Sequence, residues 1–351
     1  MTLADQPLFS VIIPTRNRSS SFAVALQSVL EQRFRDLEVI VVNDGSSEQH
    51  ERCCRELVDA PPGFARMLSL VHTERGHGPS YGRNYGAAKA RGHYLCFLDD
   101  DDQWTDPEHL GRAAGVIAAS QERIDLILAN QRAFRDGVEV AGVVWIEDLL
   151  DCMRGEPDGT GAYTVTPAEL LGCQAHCHLN TTIVSRSLFF ELGGLDEGLR
   201  YEEDRDFYLR AIDRARVIRF LPLIVSRHNI PDPATANASM SMSESELSKR
   251  LYQLRVFDKA ILFSGRPEMR RYAMRQRAYI LKHIATEAAR VGRLDCSFYY
   301  AREALVAKPT FGWMATTALL AWRRQFHGAV TPSGSANKAR RRVWREGKNV
   351  R

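Results

Sequence analysis

Apolar positions along this chain come in short blocks whose period switches between two types. Phe9-Ser10-Val11-Ile12-Ile13-Pro14 and the β-branched run over 37–42 are nearly continuous, as expected of strands covered on both faces. Between them, Phe22, Ala25, Leu26, Val29 and Leu30 recur at helical spacing within 21–32. The alternation continues with a helix over 48–59, a third strand over 67–72, a helix of small residues over 81–90 and a fourth strand over 93–98. Strands that alternate with helices need crossover connections. The pattern therefore predicts an α/β fold, a Rossmann-like, mostly parallel sheet flanked by helices. Farther on it predicts a helix over 107–120, one or two strands within 124–134, and a turn-rich loop over 151–162. Helices at 167–172 and 185–192, another starting near Glu203, and a late strand over 221–226 complete this part.

The character changes at Pro231-Asp232-Pro233-Ala234-Thr235-Ala236-Asn237, a run of breakers that reads as a linker. Helical periodicity then returns near 243–260, 267–291 and 294–307, and Met274, Ala278, Leu281, Ala285 and Ala288 share one face of the second stretch. The expected organisation is a sheet-bearing domain over 1–230, a C-terminal helical region over 231–330 and a basic, disordered tail over 331–351. The segment from Phe311 to Trp322 is apolar, has a tryptophan near each end and precedes Arg323-Arg324. It is too short to span a bilayer. Two readings stay open for it: a helix lying in a membrane interface, or a helix packed on the body through one apolar face.

Charge sharpens the picture of the tail. The chain is formally +4, yet residues 338–351 hold seven Lys or Arg against Glu346 alone, which leaves the rest slightly acidic. No basic patch for nucleic acid stands out in the body, so no nucleic-acid partner is expected. The tail fits a contact with a membrane surface better. Seven cysteines, an odd number without a CxxC pair, favour reduced thiols, and the start Met1-Thr2-Leu3-Ala4-Asp5 lacks a signal-peptide pattern. A cytoplasmic location follows, with peripheral contact at the inner face of a membrane.

The candidate chemistry begins where the fourth strand ends, at Phe97-Leu98-Asp99-Asp100-Asp101-Asp102. Adjacent carboxylates repel, so four at a strand end make sense if a cation joins them. Oxygen-only ligands suit Mg²⁺ or Mn²⁺, and such ions grip a diphosphate. A solvated acidic turn is the plain alternative. Ligands in parallel sheets collect beyond the carboxyl ends of the strands, and Asp44 stands at the same edge. The turn after the first strand, Pro14-Thr15-Arg16-Asn17-Arg18, contains no glycine, which disfavours a dinucleotide-binding dehydrogenase. It equally lacks the glycine- and lysine-rich loop expected of a nucleotidyltransferase. Gly76-His77-Gly78-Pro79 would let backbone approach a ligand closely at a helix start. Glu202-Glu203-Asp204-Arg205-Asp206 is a second acidic cluster; acids favour a helix N-terminus, and one of them can also act as general base. Cys173-Gln174-Ala175-His176-Cys177-His178 holds soft ligands without a second pair at zinc-finger spacing.

Taken in order, Phe9 to Arg18, Val41-Val42-Asn43-Asp44-Gly45-Ser46, Arg83-Asn84-Tyr85-Gly86, the aspartate run, Gly193-Gly194-Leu195-Asp196-Glu197 and Glu203-Asp204 resemble the motifs of a family 2 (GT-A fold) inverting glycosyltransferase. The resemblance covers roughly 9–230. It implies a metal-dependent hexosyltransferase that moves a sugar from a nucleotide-sugar donor, with UDP the first choice of nucleotide, to a hydroxyl on a glycan or lipid-linked acceptor in cell-surface polysaccharide or glycolipid assembly. A catalytically silent nucleotide-sugar-binding or scaffolding member of the same fold is the alternative.

The same resemblance implies site roles. Pro14, Thr15, Asn17, Asp44, Arg83, Asp99 and Asp100 would bind the nucleotide sugar, with Asp44 and Arg83 meeting the base. Asp101, Asp99 and His228 would hold a divalent cation, Mn²⁺ or Mg²⁺. Asp101 is the preferred direct ligand and Asp102 the alternative. Asp204 would be the catalytic base, with Glu203 as a rival and Asp206 a helix-surface acid. His176, His178 and Asn180 would lie beside the acceptor cleft.

Overall fold

The computed structural model describes residues 6–60, 65–141, 145–230 and 244–327. The expected linker after Pro231 and the basic tail lie outside them.

The strands are β1 (Phe9–Thr15), β2 (Leu37–Asn43), β3 (Ala65–Ser69), β4 (Tyr94–Phe97), β5 (Gln103–Trp104), β6 (Leu126–Arg135), β7 (Val138–Glu139), β8 (Tyr163–Thr164), β9 (Thr182–Ser185) and β10 (Ile218–Asn229). The helices are α1 (Ser19–Leu30), α2 (Glu48–Asp59), α3 (Pro79–Lys89), α4 (His109–Ala119), α5 (Leu149–Cys152), α6 (Pro167–Leu170), α7 (Arg186–Glu191), α8 (Glu203–Arg214), α9 (Glu246–Phe263), α10 (Pro267–Arg290), α11 (Leu294–Ala307) and α12 (Phe311–His327). One ten-stranded sheet runs β3-β2-β1-β4-β9-β6-β10-β5, with β7 beside β6 and β8 beside β10. β3, β2, β1 and β4 are mutually parallel. β9 lies antiparallel between β4 and β6, and β6 and β10 are parallel.

All seven positions of β1 and of β2 are buried, as their continuous apolar runs require. The core joins Val11, Ile13, Val39 and Val41 to Phe22, Leu26 and Val29 of α1. Gly86 of α3 is a packing requirement: a Cβ there would come 2.6 Å from the Ile12 side chain. The third strand runs over Ala65–Ser69, two residues earlier than expected, because its pairing with β2 stops where β2 ends at Asn43. The region within 124–134 is one strand, not two.

Two compact units divide the chain, one ending at Met274 and the other starting at Arg275. The first takes in α9. Lys259 lies 2.7 Å from Asp196 and 2.6 Å from Asp206, and Gln253 donates to Glu202 at 2.7 Å. In the second unit Ala285, Ala301 and Leu320 form the core, and the Trp313 indole N–H donates to the Ala301 carbonyl at 2.9 Å. Ala278, Leu281, Ala285 and Ala288 are buried along the expected stripe of α10, while Met274 is exposed. No described helix is long and apolar enough to cross a membrane.

Candidate active site

The carboxyl ends of β1, β2 and β4 open onto a cleft of about 580 Å³, closed on its other side by the start of α8 and the end of β10. Pro14, Thr15, Asn17, Asp44, Arg83, Asp99, Asp100, Asp101, Asp204 and His228 line it, as do Glu203 and His178, whereas Asp102, His176, Asn180 and Asp206 are not part of its lining. Six separated segments converge here because parallel strands deliver their C-termini to one edge.

At the β2 end, Asp44 is tied down by the glycine loop. Its carboxylate accepts from the His77 backbone N–H at 2.8 Å and the Gly78 N–H at 2.9 Å, and His77 Nδ1 lies 2.7 Å away. Gly76 (φ +69°) has no room for a side chain, since a Cβ would meet Arg16 Nη1 at 2.0 Å and Asp44 Oδ2 at 2.6 Å. Asn17 takes the left-handed conformation that Asn tolerates (φ 54°), and its side-chain oxygen accepts from the Ser47 N–H at 2.8 Å.

The four aspartates separate into different environments. Asp99 pairs with Arg83, which also reaches Glu203 at 3.2 Å. Arg83 is therefore a buried clamp between the aspartate run and α8, and it also lines the cleft. A buried guanidinium requires such carboxylates. Asp100 accepts from Thr15 Oγ1 at 2.8 Å and Arg18 at 3.0 Å. Asp101 meets Arg18 at 2.7 Å and keeps 35 % of its side chain exposed to the cleft. Burial, with Asp102 and Asp100 close by, pushes Asp101 up to about 7 against the pull of Arg18. Asp102 turns inward. It accepts from the Asn229 N–H at 2.7 Å and from Asn180 and lies 2.8 Å from His228 Nδ1, which leaves one lone pair of Oδ1 open.

A divalent cation fits these residues. Asp99, Asp101 and Asp102 each offer an oxygen within 4.8 Å of the others, and the crowding that raises Asp101 is what a cation relieves. His228 has its Nδ1 on Asp102, an arrangement that orients metal-ligating histidines through their other nitrogen. Burial would lower His228, but Asp102, Asp99 and Asp101 push it up to about 9. Among the described residues the cysteines join no metal-compatible cluster, and all seven are free thiols.

On the far wall, Glu203 and Asp204 open α8 behind Glu202, which adopts φ 65°. His176 Nε2 lies 3.0 Å from Asp204 Oδ2, and Oδ1 accepts from the Arg205 N–H at 2.7 Å. Arg205 Nε donates to His176 Nδ1 at 3.2 Å, which leaves Nε2 as the protonated nitrogen facing the carboxylate. His178 Nε2 stands 4.0 Å from the same oxygen. Burial opposes ionisation of Asp204, yet His176 and His178 hold it far below the usual carboxylate range. Glu203 goes the other way, raised by burial despite Arg83 and further by Asp204. Two adjacent carboxylates are thus driven apart in proton affinity. Asp206 is not the surface acid expected: it is fully buried, 2.8 Å from Arg210 and 2.6 Å from Lys259, because the Asp206 side of the helix faces α9.

Sequence reasoning missed Arg18 as the counter-ion of the aspartates, Asn180 as their anchor and His176 as the partner of Asp204. The run Cys173–His178 was the available signal for His176.

Residues 10–140 match the family described as Glycosyl transferase family 2. Over that segment, a little more than a third of the chain, it carries the family's sequence pattern. Among curated proteins, it is 27% identical over 206 residues to the amylovoran biosynthesis glycosyltransferase AmsB of Erwinia amylovora, covering 58% of this chain and 63% of that one. The chain spans less than two thirds of the length of the first curated relatives it matches. Among solved structures, S. aureus TarS 1–349 in complex with UDP-GlcNAc superposes with a TM-score of 0.61 at 20% identity, over 86% of this chain and 81% of that one. The mannosyltransferase PcManGT of Pyrobaculum calidifontis, in complex with GDP-Man and Mn²⁺, gives 0.56 at 18% identity over 90% and 85%. At these identities the likeness is one of fold, and that fold is GT-A-like.

Proposed function

We propose that this chain is an inverting, metal-dependent hexosyltransferase that moves a sugar from a nucleotide-sugar donor, a UDP-sugar by preference, to a hydroxyl acceptor in cell-surface polysaccharide or glycolipid assembly. One observation carries the reading: the ten residues that the family resemblance gives as nucleotide-sugar contacts, preferred metal ligands and base, drawn from six segments, line a single cleft. The curated relative in amylovoran biosynthesis supports the pathway class, and the UDP-GlcNAc complex of TarS supports the donor class.

In this reading Pro14, Thr15, Asn17 and Asp44 form the base and ribose end. Asp44 fixes the loop at Gly76–Gly78 and offers its remaining lone pairs to the base. Arg83 acts as the clamp that keeps Asp99 and Glu203 in register. Asp101, Asp99 and the Nε2 of His228 would hold Mn²⁺ or Mg²⁺, with Asp100 on the nucleotide sugar and Asp102 orienting His228. When bound, the ion supplies Lewis-acid stabilisation of the charge on the departing diphosphate. Asp204 takes the proton from the acceptor hydroxyl as that oxygen bonds to the anomeric carbon. The bond from that carbon to the diphosphate breaks on the opposite face, so configuration inverts. The His176 N–H holds Asp204 Oδ2 in place while a free lone pair receives the proton. The free cysteines agree with a cytoplasmic site of action, facing a glycan or lipid-linked acceptor.

A thermal-shift panel of nucleoside diphosphates and sugar nucleotides, each with and without Mn²⁺, tests the assignment. Ligands that bind only the native state raise its melting temperature. The expected outcome is a shift with UDP or a UDP-sugar that needs Mn²⁺. A chain that no nucleotide stabilises in the presence of Mn²⁺ overturns the reading.

A further inference from the structure

Helix α12 carries two apolar faces, and among the described residues only one of them is covered. Trp313, Thr317 and Leu320 turn inward against the second unit's core, and Arg324 on the same side reaches Asp295 and lies over the Phe298 ring. The opposite side presents Phe311, Met314, Leu319, Trp322 and Phe326 to solvent, Phe311 at 91% exposure and the others at 50–58%. At 3.6 residues per turn these five, with Ala315 and Ala318 between them, fall within about 140° of arc. Isolated exposed apolar residues are ordinary. A continuous stripe along four turns of helix is a surface waiting for a non-aqueous partner.

Charge selects the partner. The segment 311–327 contains no Asp or Glu, exposed Arg323 borders the stripe, and residues 338–351 follow with seven Lys or Arg against one Glu. Trp and Phe on one face, cations at its edge and a cationic tail after it match the layered chemistry of an anionic lipid headgroup region over acyl chain. We propose that α12 seats this chain on an anionic bilayer, its Phe311–Phe326 stripe lying in the interface and its basic residues meeting the headgroups. The contact is peripheral, since no described helix can cross a bilayer. It stands independently of the sugar-transfer reading.

Vesicle flotation of the full chain tests this, with phosphatidylcholine vesicles with and without phosphatidylglycerol. The wild type should float with the anionic vesicles and remain behind with the neutral ones. The double variant Leu319→Glu/Trp322→Glu should reduce flotation by about tenfold, because charge on the stripe opposes interfacial burial. Both positions are exposed, so its melting temperature and its response to UDP with Mn²⁺ should match the wild type, which separates this contact from the nucleotide site. Arg340→Ala/Arg341→Ala/Arg342→Ala should weaken flotation by a smaller factor. Wild-type protein that ignores anionic vesicles, or a double variant that floats equally well, overturns the proposal. So does a dimer in solution that the double variant breaks without any vesicle binding, which would make the stripe an interface between copies.

Discussion

The two walls of the cleft hold carboxylates in different company. On the β1–β4 wall, Asp99, Asp100 and Asp101 are paired with Arg83 and Arg18, cations that keep their charge at any working pH. On the α8 wall, Asp204 faces the imidazoles of His176 and His178. The first arrangement fixes charge in place, which in the proposed function suits a diphosphate and a cation. The second holds a carboxylate between imidazoles, which in the proposed function suits the acceptor of a proton. The contrast recurs within one helical turn. Glu203 is paired with Arg83 and Asp206 with Arg210 and Lys259, and Asp204 alone of the three meets histidines.

The strongest way to break this comparison is Asp204→Asn. It should lower transfer by about 10³-fold or more while nucleoside-diphosphate affinity stays within about twofold. Transfer at the wild-type rate would remove Asp204 from the chemistry. Asp206→Asn should do the opposite. Breaking a buried ion pair leaves Arg210 without its carboxylate and Lys259 with Asp196 alone, at about 3 kcal/mol in urea unfolding, with kcat of the folded fraction nearly unchanged. A large kcat loss in a normally stable Asp206→Asn protein would mean that partner type does not separate structural from catalytic acids.

The β1–β4 wall was legible in sequence because its strands are continuous apolar runs and its ligands follow them directly, Asp44 after β2 and Asp99–Asp102 after β4. The α8 wall was legible only in part. β9 escaped because Thr182–Ser185 is four residues long with two hydroxyl side chains, too short to display a period, although it is the antiparallel strand that joins the two halves of the sheet. The ion pairs escaped for another reason. Arg18 and Asp101 are 83 residues apart, and His176 and Asp204 are 28 apart, so only the folded sheet edge brings them together. Burial of Asp206 depended on α9, which lies beyond the region the motifs cover.

Asp101→Ala should cost less than Asp204→Asn in rate and show elsewhere. The Mn²⁺-dependent part of nucleotide affinity should fall by about 10- to 100-fold, read by calorimetry with and without the ion. Persistence of that dependence would transfer the ligand role to another aspartate. His176→Ala comes next, with kcat lower by about tenfold, donor KM unchanged, and partial recovery in His176→Gln, whose amide can still donate to Asp204. A KM effect without a kcat effect would make His176 a substrate contact and remove the contrast in partners.

The smallest expected effect also runs in the opposite direction. Arg18 lies 2.7 Å from Asp101 and 3.0 Å from Asp100, so in this structure it holds a position of charge that a divalent ion must share. If the aspartate wall is a cation site kept partly neutral by arginine, removing Arg18 should raise affinity for Mn²⁺ alone by a few-fold, about 1 kcal/mol at most, because one positive neighbour is lost from a half-exposed carboxylate. The nucleotide would lose a cationic neighbour in the same variant, so Mn²⁺ binding must be titrated without it. Weaker Mn²⁺ binding in Arg18→Ala would instead mean that the guanidinium organises the carboxylates, and that the wall is built around Arg18 and not around a metal ion.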